Sequence, residues 1–101
     1  MASRLNLHSL LLELNNNKNV YFQPPESIKM DYPAIVYSLS DIDKQSADNK
    51  GYVNTREYMI TYIDRDPDSS MIDSLMNLPY CSFDRHYKTD NLNYYVYRIY
   101  Y

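Results

Sequence analysis

The sequence predicts an α+β domain: a largely antiparallel sheet of about four to five strands with two helices packed on one face, in the order α-β-β-β-α-β-β. Three observations predict it. Leu7, Leu10, Leu11 and Leu14 recur at i, i+3, i+4 and i+7, which draws one apolar stripe along a helix. The stretch DRDPDSSMIDSLMNLP, residues 64–79, reads as a capped second helix that stops at proline. Between and after these segments lie runs rich in Tyr, Ile and Val, the residues that prefer a pleated sheet.

In chain order, the first helix is expected from about Ala2 to Asn15, ended by Asn15, Asn16 and Asn17. A short strand from Val20 to Gln23 is cut off by Pro24 and Pro25, which have no backbone donor for a ladder, so it belongs at an edge. Tyr32 to Ser40 is the next strand: Pro33 favours an extended Tyr32, and Ala34, Ile35, Val36, Tyr37 and Leu39 suit a sheet. Gly51, the only glycine, stands beside Asp48 and Asn49, and a reversal is expected there. The strand that follows runs from about Tyr52 to Asp64, with Arg56, Tyr58, Ile60 and Tyr62 on one face and Glu57, Met59, Thr61 and Ile63 on the other. In the second helix, Asp66 is the expected cap, Pro67 the first helical residue, and Met71, Ile72, Leu75 and Met76 the buried stripe. The chain closes in a hairpin, with Phe83, Arg85 and Tyr87 in one arm, a turn over Thr89 to Asn93, and Tyr94 to Tyr101 in the other.

Composition narrows function. A chain of 101 residues is expected to be a single domain near the lower size limit for one core. Cys81 is the only cysteine, which excludes an intrachain disulfide and a thiol cluster for zinc, and fits a reducing compartment. The opening MASRLNLHSLLLEL is interrupted by Asn6, His8 and Glu13 and is not expected to be a signal peptide, and no window reaches the roughly 18 consecutive apolar residues of a membrane span. A soluble protein is expected. The net charge of -3 with scattered basic residues argues against nucleic-acid binding, since phosphate affinity comes from lysine and arginine. Thirteen tyrosines against two phenylalanines and no tryptophan point to surfaces half buried against protein, although AT-rich coding also favours tyrosine codons.

Reactive chemistry finds little support. Asp64, Asp66 and Asp68 imitate the start of a calcium loop, but Ser69 replaces its glycine and Leu75 its final glutamate. Asp41 and Asp43 lie two apart on a strand with no third ligand, and read as solvated charge. Cys81 with His86 or His8 would need a proximity that spacing does not supply, so a buried thiol and two ordinary histidines are expected. One glycine excludes P-loop, dinucleotide and GxSxG fingerprints. The expectation is a non-catalytic protein with no metal and no cofactor.

VYFQPP at 20–25, YPAIVYSLSDI at 32–42, SADNKGY at 46–52, YMITYIDRDPDS at 58–69, and FDRHY at 83–87 with DNLN at 90–93 give a pattern that resembles the tail terminator, or tail completion, proteins of long-tailed bacteriophages. The resemblance covers most of the chain after Val20 and rests on short segments, with no catalytic signature among them. It implies a virion protein, made in the host cytoplasm, that forms a ring, hexameric in the family, on the head-proximal end of the tail tube. Such a ring stops tube polymerisation and joins the tail to the neck. Its implied partners are further copies of itself, the tail tube protein and a head-completion protein, with DNA only passing through the channel. The acidic balance suits that passage, because a wall rich in lysine would hold DNA.

A closed ring needs two different, complementary patches on each subunit. The expected contact residues are Asp41, Asp43, Lys44, Asn49 and Tyr52 on a long polar hairpin, with Tyr95, Tyr97 and Tyr101 on the last strand. The competing expectation is that half of these tyrosines are core. Two other functions share the composition: another neck component such as a head-closure or connector protein, and a small monomeric protein that binds and inhibits a host factor.

Overall fold

The computed structural model describes residues 4–25, 29–46 and 52–101, with side chains undescribed at 43–46 and 52–55. Its elements follow the expected order: α1 (Arg4–Leu14), β1 (Val20–Phe22), β2 (Ala34–Ser46), β3 (Tyr52–Asp64), α2 (Met71–Met76), β4 (Cys81–Thr89) and β5 (Leu92–Tyr100). The strands form one sheet in the order β1-β2-β3-β5-β4, antiparallel except where β1 runs parallel to β2.

The register divides the sheet into two faces. One carries Ile35 and Tyr37 of β2, Tyr58, Ile60 and Tyr62 of β3, and Tyr95, Tyr97 and Ile99 of β5. These residues form one buried cluster with Leu7 and Leu11 of α1 and Leu75 of α2, so both helices lie on this face. The leucine stripe of α1 is why that helix forms and where it points: Leu7 and Leu11 are fully buried, and Leu14 packs against the cluster. The helix ends where Asn16 and Asn17 adopt positive φ, a conformation asparagine tolerates better than most residues. Buried Asn15 then ties the exit to β2 by donating from Nδ2 to the Lys18 and Pro33 carbonyls at 2.7 and 3.2 Å.

Tyrosine hydroxyls peg the two layers together. The ring of Tyr37 is buried while its hydroxyl meets Arg4 Nη1 at 3.2 Å and His8 Nδ1 at 2.7 Å, both on α1. Tyr97 donates to the Ile72 carbonyl of α2 at 3.2 Å, and Tyr95 to the Pro67 carbonyl before α2 at 3.1 Å. Tyr62 donates to Asp64 Oδ2 at 2.6 Å and meets Ser69 Oγ at 2.9 Å. Each ring supplies apolar area to the core, and each hydroxyl finds a partner at its far end.

Several boundaries differ from expectation; β5 begins at Leu92 and not at Tyr94, so the turn after β4 is Asp90 and Asn91 alone. β2 begins at Ala34 and not at Tyr32: Pro33 has no N–H for the ladder, and its carbonyl accepts from the Asn15 and Asn19 side chains. β2 then continues past Ser40 to Ser46, held to β3 by backbone pairing after a register shift between Leu39 and Asp41. α2 starts at Met71 with Ser70 before it, so Asp66 is not its cap. Asp66 instead accepts the Asp68 N–H at 2.9 Å and Asp64 the Asp66 N–H at 3.2 Å, turns that aspartate favours and that occupy the loop before the helix. The reversal expected at Asp48 to Gly51 lies outside the described residues.

Truncation of the stripe should cost more than loss of a peg. Leu11→Ala is expected to lower unfolding free energy by about 2–5 kcal/mol through lost burial and a cavity, and Tyr97→Phe by about 1 kcal/mol through one hydrogen bond. Urea denaturation of the two variants checks the order, and a larger loss for Tyr97→Phe contradicts it.

Candidate interaction surface

β2 and β3 are the longest strands, and they run past the rest of the sheet. β5 pairs with β3 only from Glu57 to Asp64, and the Tyr101 N–H adds one last bond to the Arg56 carbonyl at 3.1 Å. Beyond that point the rungs from Ile42↔Arg56 to Ser46↔Tyr52 join β2 and β3 alone. These five rungs extend about 17 Å at about 3.4 Å per residue. They contribute to a molecule measuring 52 × 26 × 23 Å. The arm has no helix over it among the described residues, and a two-stranded ribbon is marginal by itself in water. At its root Leu39 and Ile42 are exposed, Ile42 at 50%.

The face of the sheet away from the helices carries Val36, Ser38, Met59, Thr61, Tyr94, Val96 and Arg98. No described helix packs on it. Toward β4 it holds a charged chain: Arg98 lies 3.4 Å from Asp84 and 3.8 Å from Glu57, Arg85 bonds Asp84 at 2.7 Å, and Ser40 donates to Glu57 at 3.2 Å. The Arg85 hydrogen bond, with the charges of Arg85 and Arg98, holds the Asp84 carboxyl below its usual range. Tyr87 and Tyr94 stack nearly parallel at 4.8 Å beside this chain. These ion pairs, exposed mainly at their arginines, fix side-chain positions more than they stabilise the fold.

At the end of the body where α1, β5 and the C-terminus meet, Leu10, Leu78, Pro79, Tyr80, Ile99, Tyr100 and Tyr101 line an apolar groove of about 520 Å³. Tyr80, 81% exposed and at positive φ, stands at its rim.

The candidate residues separate into three groups. Tyr95 and Tyr97 are 7% and 0% exposed, their rings spent on this chain's own core, so neither has area to offer a neighbour. The contact role expected of them is corrected on that ground: parity along β5 turns both toward the helices. Tyr101 is half buried, packs against the core and lines the groove, and keeps a surface part. Asp41 is exposed at the root of the arm, where its Oδ1 accepts the Ile42 N–H at 2.8 Å. Asp43, Lys44 and Tyr52 lie on the paired backbone of the arm with side chains outside the described set, and Asn49 lies outside the described residues.

Residues that sequence reasoning passed over are Leu39, Ile42, Tyr80, Phe83 and Tyr87, all exposed apolar groups. Ile42 carried a signal, an isolated apolar residue within the polar run DIDK. Tyr80 carried none, because its exposure follows from the backbone after Pro79.

Neither a cysteine–histidine pair nor a metal-holding group assembles among the described residues. Cys81 pairs opposite Ile99 and His86 opposite Tyr95, which sets them several rungs apart on β4. Burial pushes the Cys81 thiol up, away from the thiolate form. His86 stacks on Tyr95 and meets Asn93 Oδ1 at 3.2 Å, and His8 is engaged by Tyr37. No three His, Cys, Asp or Glu side chains among the described residues are grouped to hold a metal ion, and no described helix is long and apolar enough to cross a membrane. No protein-family model matches the chain, and no curated protein matches it significantly.

Burial raises the hydroxyl pKa of Tyr62 and pushes that of Tyr97 up to about 12, from an ordinary value of 10.0. The folded chain therefore holds the Tyr97 proton more tightly than the unfolded chain does. Its contribution to stability is complete below pH 10 and is lost as pH rises toward 12, at up to about 1.4 kcal/mol per pH unit for one group. Urea midpoints of the native chain should fall more steeply over that window than those of Tyr97→Phe, and parallel curves contradict the assignment.

Proposed function

We propose that this chain is a structural, non-catalytic virion subunit that assembles into a ring at the head-proximal end of a phage tail tube, ends tube growth and joins the tail to the neck. The observation that carries this reading is the arm. A ribbon of two strands that projects from the body with exposed Leu39 and Ile42 at its root is costly to keep in water and useful only when it lies on something. The sheet face on which no described helix packs, with Met59, Val36 and Tyr94, adds a second surface.

The resemblance of the short segments to tail terminators supplies the identity of the assembly. In this reading the partners are further copies, the tail tube protein and a head-completion protein. The net charge of -3 suits a subunit beside a channel that DNA must leave freely. No cofactor, metal or specific nucleic-acid contact enters the role.

The deciding experiment is loss of the chain in an assembling phage: tails of uncontrolled length, or tails that fail to join heads, are expected, and normal infectious particles overturn the reading. A variant sharpens it. Replacing residues 44–54 by Asn-Gly closes the arm with a two-residue turn across the Asp43↔Thr55 pair, and should leave the thermal midpoint of the isolated protein within a few degrees while abolishing incorporation into particles, scored by particle composition.

A further inference from the structure

The sheet has two open edges, and they differ in charge. At one edge β1 covers β2 only from Ile35 to Tyr37. Gln23 extends that cover slightly: its N–H bonds the Tyr37 carbonyl at 3.0 Å, and its Oε1 accepts the Leu39 N–H at 3.2 Å. From there to Ser46 the outer edge of β2 has no strand beside it among the described residues. Alternation of the ladder turns the backbone groups of Ile42, Lys44 and Ser46 outward, consistent with Arg56 opposite Ile42 bonding Tyr101 instead of β2. At the other edge lies β4, where the same alternation turns Phe83, His86 and Lys88 outward.

Resting on the ring reading above, we infer that β4 of one copy adds as a strand to the outer edge of β2 in the next copy, joining the two sheets through the arm. Charge selects this pairing over the symmetric one. β4 carries Arg85, His86 and Lys88 over four residues. Pairing β4 antiparallel with itself sets against these groups only Asp84, already held by Arg85 and Arg98, or their own kind, and like charges directly opposite destabilise a sheet. The open part of β2 carries Asp41 and Asp43 against a single Lys44, a net charge of opposite sign. Apolar groups match as well, since Ile42 on one edge and Phe83 and Tyr87 on the other are exposed in the single chain. The bulge between Phe83 and Arg85 and the charges on β4 are devices that keep an edge from unselective pairing. A partner strand of complementary charge meets less of that barrier. Because the two edges differ, the contact is heterologous: every copy keeps one free edge of each kind, and a ring closes when the rotation between copies permits.

The Ile42 N–H is held by Asp41 Oδ1 in the single chain. That bond is exposed and exchanges for a strand carbonyl with little loss.

The test uses the full chain. Isotopically labelled and unlabelled copies are mixed at high concentration and treated with a carbodiimide, which joins carboxylates to amines at zero length. Mass spectrometry should then find Asp41 or Asp43 of one copy linked to Lys88 of another. Lys88→Glu should weaken self-association in sedimentation velocity by at least about tenfold in Kd, and adding Asp41→Lys and Asp43→Lys should restore it, while each variant keeps its thermal midpoint. If assembly persists with Lys88→Glu and cross-links join other residues, the edge pairing is overturned and the ring reading stands. If the native chain stays monomeric at every concentration and never enters particles, both are overturned.

Discussion

A five-stranded sheet has two faces, and this chain has helix enough for one. α1 brings a leucine stripe of modest length and α2 spans six residues. Together they cover the face carrying Tyr37, Tyr58, Ile60, Tyr62, Tyr95, Tyr97 and Ile99. Burial on that side is the term that holds the fold, because no disulfide is available and the exposed ion pairs contribute little. The shortage of helix determines what is left over. The second sheet face has no described helix, and the arm of β2 and β3 runs beyond the reach of either helix.

Tyrosine makes so thin a cover sufficient. A phenylalanine in the place of Tyr37 or Tyr97 fills the same space but gives up its bond to the helix. The hydroxyls reach through the core to Arg4 and His8 on α1 and to the Ile72 carbonyl on α2, which sets where each helix lies. Tyr95 and Tyr62 do the same for the loop of aspartates before α2. Tyr37, Tyr58, Tyr62, Tyr95 and Tyr97 are thus spent inside, while Tyr80, Tyr87 and Tyr100 stay exposed, and the arm, the edges and the apolar groove are the surfaces left for the proposed contacts.

Much of this architecture was legible in the sequence. The i, i+3, i+4, i+7 leucines placed α1, and the alternation of Tyr52 to Asp64 marked β3 because a long strand in mid-sheet pairs along its length. The start of α2 was not legible, since Asp66 and Pro67 satisfy the rules for a helix cap and for a turn equally, and the choice depends on the Tyr95 hydroxyl holding the Pro67 carbonyl. The contact surface was half legible. Parity showed that Tyr95 and Tyr97 share one face of β5, but which face the helices cover is a tertiary choice that a strand pattern does not encode. The continuation of β2 from Ser40 to Ser46 was not marked by apolar alternation, because residues 41–46 carry no alternating apolar set.

If the arm is built to lie on a neighbour, its ladder is weak in the single chain and strong in the assembly. Amide hydrogen exchange measures this directly on Asp41, Asp43 and Gln45, whose backbone groups face β3. The account predicts exchange near the unprotected rate in dilute solution, strong slowing when the chain assembles, and little change at Ile60 or Tyr97 in the core. Arm amides as protected in dilute solution as those of the core, with no further slowing on assembly, contradict it.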